Sequence, residues 1–218
     1  MKMLSEIPID AVLFDYGLVL SGPPDPAAWT AMRIITGFDE PTLDRAYWAP
    51  RHAYDRGTHT GPEYWQAVAA DASTTFTEDQ VAALIDADTN LWTQLNPPMV
   101  AWAARLQQAG IRTGILSNLG DAMTQGVLSK FDWLEAFHHR LWSHTLKLAK
   151  PELEIYRHAA EGLGVSPARI LFVDDRTNNV EAGLAAGMQV IQYTADHIAF
   201  ERELQHRGWE ALWLATIA

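Results

Sequence analysis

The chain has 218 residues, of which 48% are hydrophobic and 20% charged, as is typical of a packed globular protein. It contains no cysteine, which excludes a catalytic thiol, a cysteine-ligated zinc site and a disulfide framework, and which fits a reducing cytoplasm. Its formal net charge of −11 disfavours a nucleic-acid partner, because the phosphate backbone is also negative. The first ten residues do not resemble a signal peptide, and no apolar run reaches the roughly 20 residues needed to cross a membrane. We therefore expect a soluble, cytoplasmic protein with no membrane partner.

Three short apolar runs lead directly into polar residues that could carry chemistry. They are residues 11–14 before Asp15, residues 114–116 before Ser117 and Asn118, and residues 170–173 before Asp174 and Asp175. Runs this short, without alternation and bounded by turn residues, predict buried parallel strands. A further buried strand is predicted at residues 188–193.

Helical patterns separate these runs. They cover residues 98–110, 151–162 and 178–187, and each closes at a glycine, which is common just past the end of a helix. Alternation of strand and helix predicts an α/β fold, a doubly wound parallel sheet with right-handed crossovers.

The segment 22–97 does not alternate and carries helix patterns only. One helix is predicted from Pro26 to residue 35, a second begins at Pro62, and a third follows Thr77 as its N-cap and runs on to Trp92. We interpret residues 22–97 as a helical cap inserted into a catalytic core made of residues 1–21 and 98–218, with proline pairs as hinges.

The polar residues at the strand ends predict one shared site, because ligands of open α/β sheets bind beyond the carboxyl ends of the strands. A carboxylate in the position of Asp15 can attack phosphorus. Attack by an anion on a phosphate requires a hard cation held by oxygen ligands. Asp15 and Asp175 would hold that cation, and Asp174 would bind it directly or through water.

The phosphate itself requires donors and positive charge. Ser117 opens the loop that contains Asn118 and leads into a helix near Asp121, so its hydroxyl and the first N–H groups of that helix are predicted to bind phosphoryl oxygens. Lys150 is predicted to add a fixed positive charge for the group being transferred.

Four segments, in order along the chain, resemble the motifs of the haloacid dehalogenase superfamily, in the branch with a helical cap soon after the first motif. They are Phe14-Asp15-Tyr16-Gly17-Leu18-Val19-Leu20, then Leu116-Ser117-Asn118, then Lys150-Pro151, then Phe172-Val173-Asp174-Asp175 with Asn179 behind it. The resemblance implies a Rossmann-like core, an aspartyl-phosphate formed on Asp15, and a cap that gates a small phosphorylated metabolite. It also implies Mg2+ as cofactor, with the backbone carbonyl of Gly17 among its ligands. The pattern is most similar to sugar-phosphatase-like members with glycine at that position.

Two residues depart from the family pattern. Gly17 replaces the aspartate that normally protonates the leaving group, a step typically worth 10²–10⁴-fold in rate. Rates are therefore predicted to depend steeply on the pKa of the leaving group. Lys147 stands where the family often has glycine, three residues before the motif lysine.

Three other functions compete with that of a phosphatase. A haloacid dehalogenase would use Asp15 on carbon without a metal, and the adjacent pair of Asp174 and Asp175 argues against it. A phosphonate hydrolase of this superfamily needs a lysine from the cap, and residues 22–97 contain none. A non-catalytic protein that binds a phosphate ligand stays open. No role is assigned to the histidines, whereas one or two of Trp29, Trp48 and Trp65 are expected to line the substrate pocket.

Overall fold

The computed structural model describes residues 3–215. Five strands are present: β1 (Ala11–Phe14), β2 (Arg112–Ser117), β3 (His139–Trp142), β4 (Ile170–Asp174) and β5 (Gln189–Gln192). The helices of the cap region are α1 (Pro26–Thr36), α2 (Glu40–Trp48), α3 (Arg51–Asp55), α4 (Gly61–Asp71) and α5 (Glu78–Leu91). The remaining helices are α6 (Pro97–Gln108), α7 (Asp121–Lys130), α8 (Ser143–Leu146), α9 (Leu153–Leu163), α10 (Thr177–Ala185), α11 (His197–His206) and α12 (Glu210–Leu214).

The five strands form one parallel sheet in the order β3-β2-β1-β4-β5, which confirms the predicted α/β fold class. Strand β1 is central, and Phe14 at its end pairs with Ile115 on one side and Val173 on the other. This register places the residues that follow β1, β2 and β4 at the same edge of the sheet.

The apolar runs form strands because helices cover both faces of the sheet. All four residues of β1 and all five of β4 are buried. On one face, Leu13 and Phe172 pack with Tyr156 of α9. On the other face, Phe14 lies edge-on to Trp102 of α6, with ring centroids 5.3 Å apart. The hydrophobic cluster on this second face continues into the cap helices.

The segment 22–97 contains helices and no strand, as its pattern predicted. Thr60 and Thr77 are each the N-cap of a helix that begins with a capping box. The threonine side chain accepts from the backbone N–H of Glu63 or Gln80, whose side chain accepts from the backbone N–H of the threonine. The division into core and cap remains an interpretation of the sequence.

Several elements escape prediction from the sequence. Strand β3 begins with two polar residues, His139 and Arg140, so only half of it shows an apolar pattern. Helix α3 has five residues, too few to show a helical period. In the part of the chain that the structure describes, no helix has the length and apolar character required to cross a bilayer.

The cap packs on helix α7 through glycines that allow close approach. A Cβ on Gly120 would lie 2.3 Å from the ring of Tyr54 in α3, and one on Gly126 would lie 2.5 Å from Thr89 of α5. The cap helices therefore approach α7 more closely than any larger residue at these positions would allow.

Candidate active site

Asp15 follows β1 and is buried, with its backbone N–H bonded to the carbonyl of Val173 at 2.9 Å. Its Oδ1 accepts bonds of 2.7 Å each from the hydroxyl of Ser117 and the N–H of Tyr16. The ammonium of Lys150 lies 2.9 Å from the same oxygen. These three contacts all use Oδ1 and leave Oδ2 as the oxygen that can react. Burial raises the pKa of Asp15, while the ammonium of Lys150 opposes that rise and the charge of Asp174 adds to it.

Lys150 bridges two strand ends. Its Nζ donates to Oδ2 of Asp174 at 2.6 Å, in addition to its contact with Asp15. The amide of Asn179 donates to Oδ1 of Asp174 at 2.9 Å, and the N–H of Arg176 donates to the same oxygen at 2.9 Å. Asp174 is thus held in one orientation by Lys150, Asn179 and the backbone of Arg176.

The carboxylates of Asp15, Asp174 and Asp175 offer three oxygens within 4.8 Å of one another. Lys150 contacts only the first two, so the cluster carries an excess of negative charge that one divalent cation would balance. The donors are all oxygens, which suit a hard cation such as Mg2+. Gly17, whose carbonyl is a predicted ligand, lines the same cavity. The residues present therefore fit the cofactor expected from the sequence.

The loop after β2 is fixed by its own hydrogen bonds. Asn118 donates from Nδ2 to the carbonyl of Lys150 at 2.9 Å and accepts at Oδ1 from the N–H of Lys150 at 2.8 Å. The side chain of Asn118 thus positions Lys150.

Two N–H groups in the first turn of α7, a part of the chain predicted to bind phosphate, already have hydrogen-bond partners within the protein. The N–H of Ala122 donates to Asp121, and that of Met123 donates to the hydroxyl of Tyr54 at 3.2 Å. The N–H of Leu119 before the helix donates to Ser143. The N–H of Met123 thus bonds to the cap, whereas the hydroxyl of Ser117, the other predicted donor, lies at Asp15.

A cavity of about 360 Å³ lies above the strand ends and is lined by both the core and the cap. Asp15, Lys150 and Asp175 form its core side. The cap contributes Trp48, Arg51, His52, Asp55 and Trp92. Of the three tryptophans singled out from the sequence, Trp48 lines the cavity, whereas Trp65 is buried and Trp29 packs on Tyr47 within the cap.

A buried charge cluster supports the cap side of the cavity. Arg51 donates from Nε to Asp55 at 3.0 Å and from Nη1 to Asp88 at 3.1 Å. Its guanidinium lies over the rings of Tyr47 and Tyr54, at 4.9 and 5.5 Å from the centroids. The charge of Arg51 is fully paired, so it shapes the cavity by holding Asp55 in place.

Lys147 is exposed and is absent from the residues that line the cavity. Its backbone is left-handed, with φ of 55° and ψ of 31°. This conformation favours glycine, the residue that the family pattern led us to expect at this position.

The cap residues of the cavity were missed by the sequence analysis, Trp48 excepted. Arg51, Asp55 and Asp88 lie on two helices and meet only when the cap folds, so no spacing along the chain indicates their contact. The pattern that could have pointed to Arg51 and Asp55 was the clustering of Tyr, Trp and charged residues between positions 47 and 65.

The chain matches the family model described as haloacid dehalogenase-like hydrolase over residues 9–187. It is 32% identical over 98 residues to a phosphoglycolate phosphatase of Neisseria gonorrhoeae, an alignment covering 45% of this chain and 42% of that protein. It is 28% identical over 96 residues to (S)-2-haloacid dehalogenase 1 of Pseudomonas sp. strain CBS-3, covering 44% and 42%. The chain therefore spans less than half of the length of either relative.

The fold is similar to that of a haloacid dehalogenase family enzyme from Bacteroides thetaiotaomicron, crystallised with magnesium and inorganic phosphate. The two structures superpose with a TM-score of 0.72 at 19% identity, covering 88% of this chain and 98% of the other. At this identity the likeness shows a shared fold.

Proposed function

The chain belongs to the haloacid dehalogenase-like hydrolases, and from this premise we propose that it is a Mg2+-dependent phosphatase. Its substrate is a small phosphorylated metabolite, with sugar phosphates as the leading class. The observation that carries the proposal is the cluster of Asp15, Asp174 and Asp175 within 4.8 Å, next to a buried lysine. A site built to neutralise a phosphate needs this combination of oxygen ligands and fixed positive charge.

In the proposed reaction, Oδ2 of Asp15 attacks phosphorus while Oδ1 stays bonded to Ser117, Lys150 and the backbone. This arrangement fixes the direction of attack before substrate arrives. When the phosphate binds, the hydroxyl of Ser117 and the ammonium of Lys150 are in position to contact its oxygens as well. Hydrolysis of the phospho-aspartate then regenerates Asp15.

The cation would be held by Asp15, Asp174, Asp175 and the carbonyl of Gly17. It supplies positive charge that offsets the repulsion between the carboxylate and the phosphate. Asn179 and Lys150 hold Asp174 in a fixed orientation, so a cation would meet a preformed site.

A haloacid dehalogenase is the second candidate, favoured by the match to the Pseudomonas enzyme. That reaction transfers an alkyl group to the aspartate and requires no metal. It gives no use to Asp175, whose carboxylate joins the acidic cluster. Burial, together with the neighbouring charge of Asp174, raises the pKa of Asp175. A bound cation would stabilise the charged form of this carboxylate.

The first prediction tests the phosphatase directly with 4-nitrophenyl phosphate, whose leaving group barely needs a proton. We expect Mg2+-dependent turnover by the wild-type protein and at least a 10³-fold loss in Asp15→Asn, because an amide is not a nucleophile toward phosphorus. Asp44→Asn, at an exposed aspartate of α2, is the matched control and should retain turnover. Release of halide from 2-chloropropionate, without turnover of the phosphate, would select the dehalogenase instead.

A further inference from the structure

Hydrolysis of an alkyl phosphate requires a proton for the departing oxygen, and Gly17 cannot supply it. In-line displacement places that oxygen on the side of phosphorus opposite the attacking oxygen of Asp15. Asp15 lies at the edge of the sheet, so the departing oxygen faces the cap. A cap residue that carries a proton into the cavity could therefore replace the missing acid.

Asp55 has this position. It is the last residue of α3, it lines the cavity together with Asp15 and Gly17, and its side chain is 17% exposed. Its Oδ1 accepts the bond from Arg51, and Oδ2 takes no part in that bond. The space beside Gly17 is open, because a Cβ built there meets no atom within 4 Å. The gap left by the absent aspartate thus lies in the same cavity that Asp55 lines.

Hydrogen bonds and an ion pair connect the residues around Asp55 to the core. The carbonyl of Asp55 accepts a hydrogen bond from Ser143, the residue that also binds the N–H of Leu119 in the loop after β2. Its neighbour Tyr54 accepts from Met123 of α7, and Arg56 forms an ion pair with Glu152. The carboxyl of Asp55 is therefore held at a fixed place above the strand ends.

We propose that Asp55 is the general acid of this enzyme, supplied by the cap in place of the aspartate absent at position 17; this inference rests on the proposed phosphatase function. Asp15 attacks, the bond from phosphorus to the leaving oxygen breaks, and the proton of Asp55 moves to that oxygen, so an alcohol departs. A water molecule then attacks the phospho-aspartate and gives its proton to Asp55. Phosphate leaves, and Asp15 and Asp55 return to their initial forms.

The surroundings of Asp55 suit a proton donor at near-neutral pH. Burial raises the pKa of Asp55 to about 6, with Arg51 opposing the rise and Asp88 adding to it. The charged and titratable groups that face it are Arg51 on its own helix, Tyr64 of α4, Asp88 of α5 and Arg176 of the loop after β4. At a pKa of about 6, roughly a tenth of the molecules carry the proton at pH 7, enough for catalysis.

The second prediction uses Asp55→Asn, which keeps an acceptor for Arg51 but carries no transferable acid proton. We expect kcat/KM for 2-glycerol phosphate to fall by about 10²-fold and that for 4-nitrophenyl phosphate by less than about threefold. Circular dichroism and Tm report whether the variant is folded, and Asp44→Asn is the control for the same substitution elsewhere in the cap. His52→Gln tests the neighbouring titratable group of α3.

A pH profile of the wild-type protein provides a second measurement that does not depend on any variant folding. The ratio of kcat/KM for 2-glycerol phosphate to that for 4-nitrophenyl phosphate removes titrations that both substrates share, including those of the acidic cluster. A general acid must be protonated, so this ratio should fall about tenfold per pH unit above about pH 6. A ratio independent of pH would overturn the proposal, as would a selective loss of glycerol phosphate turnover in His52→Gln but not in Asp55→Asn.

These outcomes separate the two proposals. If wild-type protein with Mg2+ does not hydrolyse 4-nitrophenyl phosphate, the phosphatase itself is wrong. If it does, and Asp55→Asn lowers kcat/KM equally for both substrates, only the assignment of Asp55 as the general acid is wrong.

Discussion

Gly17 lies two residues beyond Asp15 in an ordinary conformation, with φ of −63° and ψ of 130°, which any residue adopts. No steric contact requires glycine at this position, since an added Cβ would meet open space. The absence of a carboxyl here is therefore a chemical property of this enzyme and not a consequence of packing. A carboxyl introduced at position 17 and the carboxyl of Asp55 would then be alternative sources of the same proton.

The third prediction compares Gly17→Asp in two backgrounds. In Asp55→Asn, the new carboxyl should raise kcat/KM for 2-glycerol phosphate by about 10-fold or more, because it restores an acid beside the leaving oxygen. In the wild-type protein the gain should be less than about threefold, because Asp55 already donates. Equal gains in both backgrounds would show that Asp55 does not deliver the proton, and the steep dependence on leaving-group pKa predicted from the sequence would then stand.

Helices α5 and α7 are the elements that join the cap to the core most closely. Gly126 of α7 faces Thr89 of α5, whose hydroxyl donates to the carbonyl of Ile85 at 2.9 Å. This bond and the branched Cβ hold the threonine side chain in one rotamer. Thr89 is also buried, so it cannot move aside for a larger neighbour.

The fourth prediction concerns this contact. Gly126→Ala should lower the free energy of unfolding by about 1 kcal/mol, because an overpacking cost of about 1–3 kcal/mol exceeds a gain of about 1 kcal/mol in helix propensity. Chemical denaturation measures the change. In a Thr89→Ala background the same substitution should become neutral or stabilising, since the clashing atoms are gone. Additive effects of the two substitutions would mean that the helices separate without resistance.

At the scale of the whole molecule, the acidic cluster links two neighbouring strands of the sheet. Asp15 follows β1, while Asp174 ends β4 and Asp175 follows it. A ligand that binds the folded chain alone stabilises it, by about 2.7 kcal/mol at 100 times its Kd. Binding of Mg2+ should therefore raise the free energy of unfolding of the whole protein.

The fifth prediction is a rise in Tm of about 5–10 °C on saturation with Mg2+, reversed by a chelator that also stops phosphate turnover. Asp175→Asn should lose most of this rise, whereas the exposed control Asp44→Asn should keep it. Ca2+ should support little turnover, because it relaxes the octahedral geometry that Mg2+ imposes. Full activity in excess chelator would contradict the metal-dependent mechanism and favour the dehalogenase.

The sequence by itself determined the sheet and its reactive edge. A short apolar run with no alternation buries all of its side chains only when both faces of the sheet are covered. The runs at Ala11–Phe14 and Ile170–Asp174 therefore had to be buried parallel strands. The carboxyl ends of such strands meet at one edge. That geometry brought Asp15, Ser117 and Asp174 together, although they lie far apart along the chain.

Only the tertiary structure decided what faces that edge. Helix α3 is too short to show a period, and Asp55 reads in the sequence as one acidic residue among many. Its burial, its bond to Arg51 and its place in the cavity all depend on how α3, α5 and α7 pack together. Long-range packing also bonded the N–H of Met123 in α7 to Tyr54 of the cap, although the first amides of this helix were predicted to bind phosphate. Local patterns encode strands and their ends, whereas the partners of a cap side chain are fixed by contacts between elements that no local pattern records.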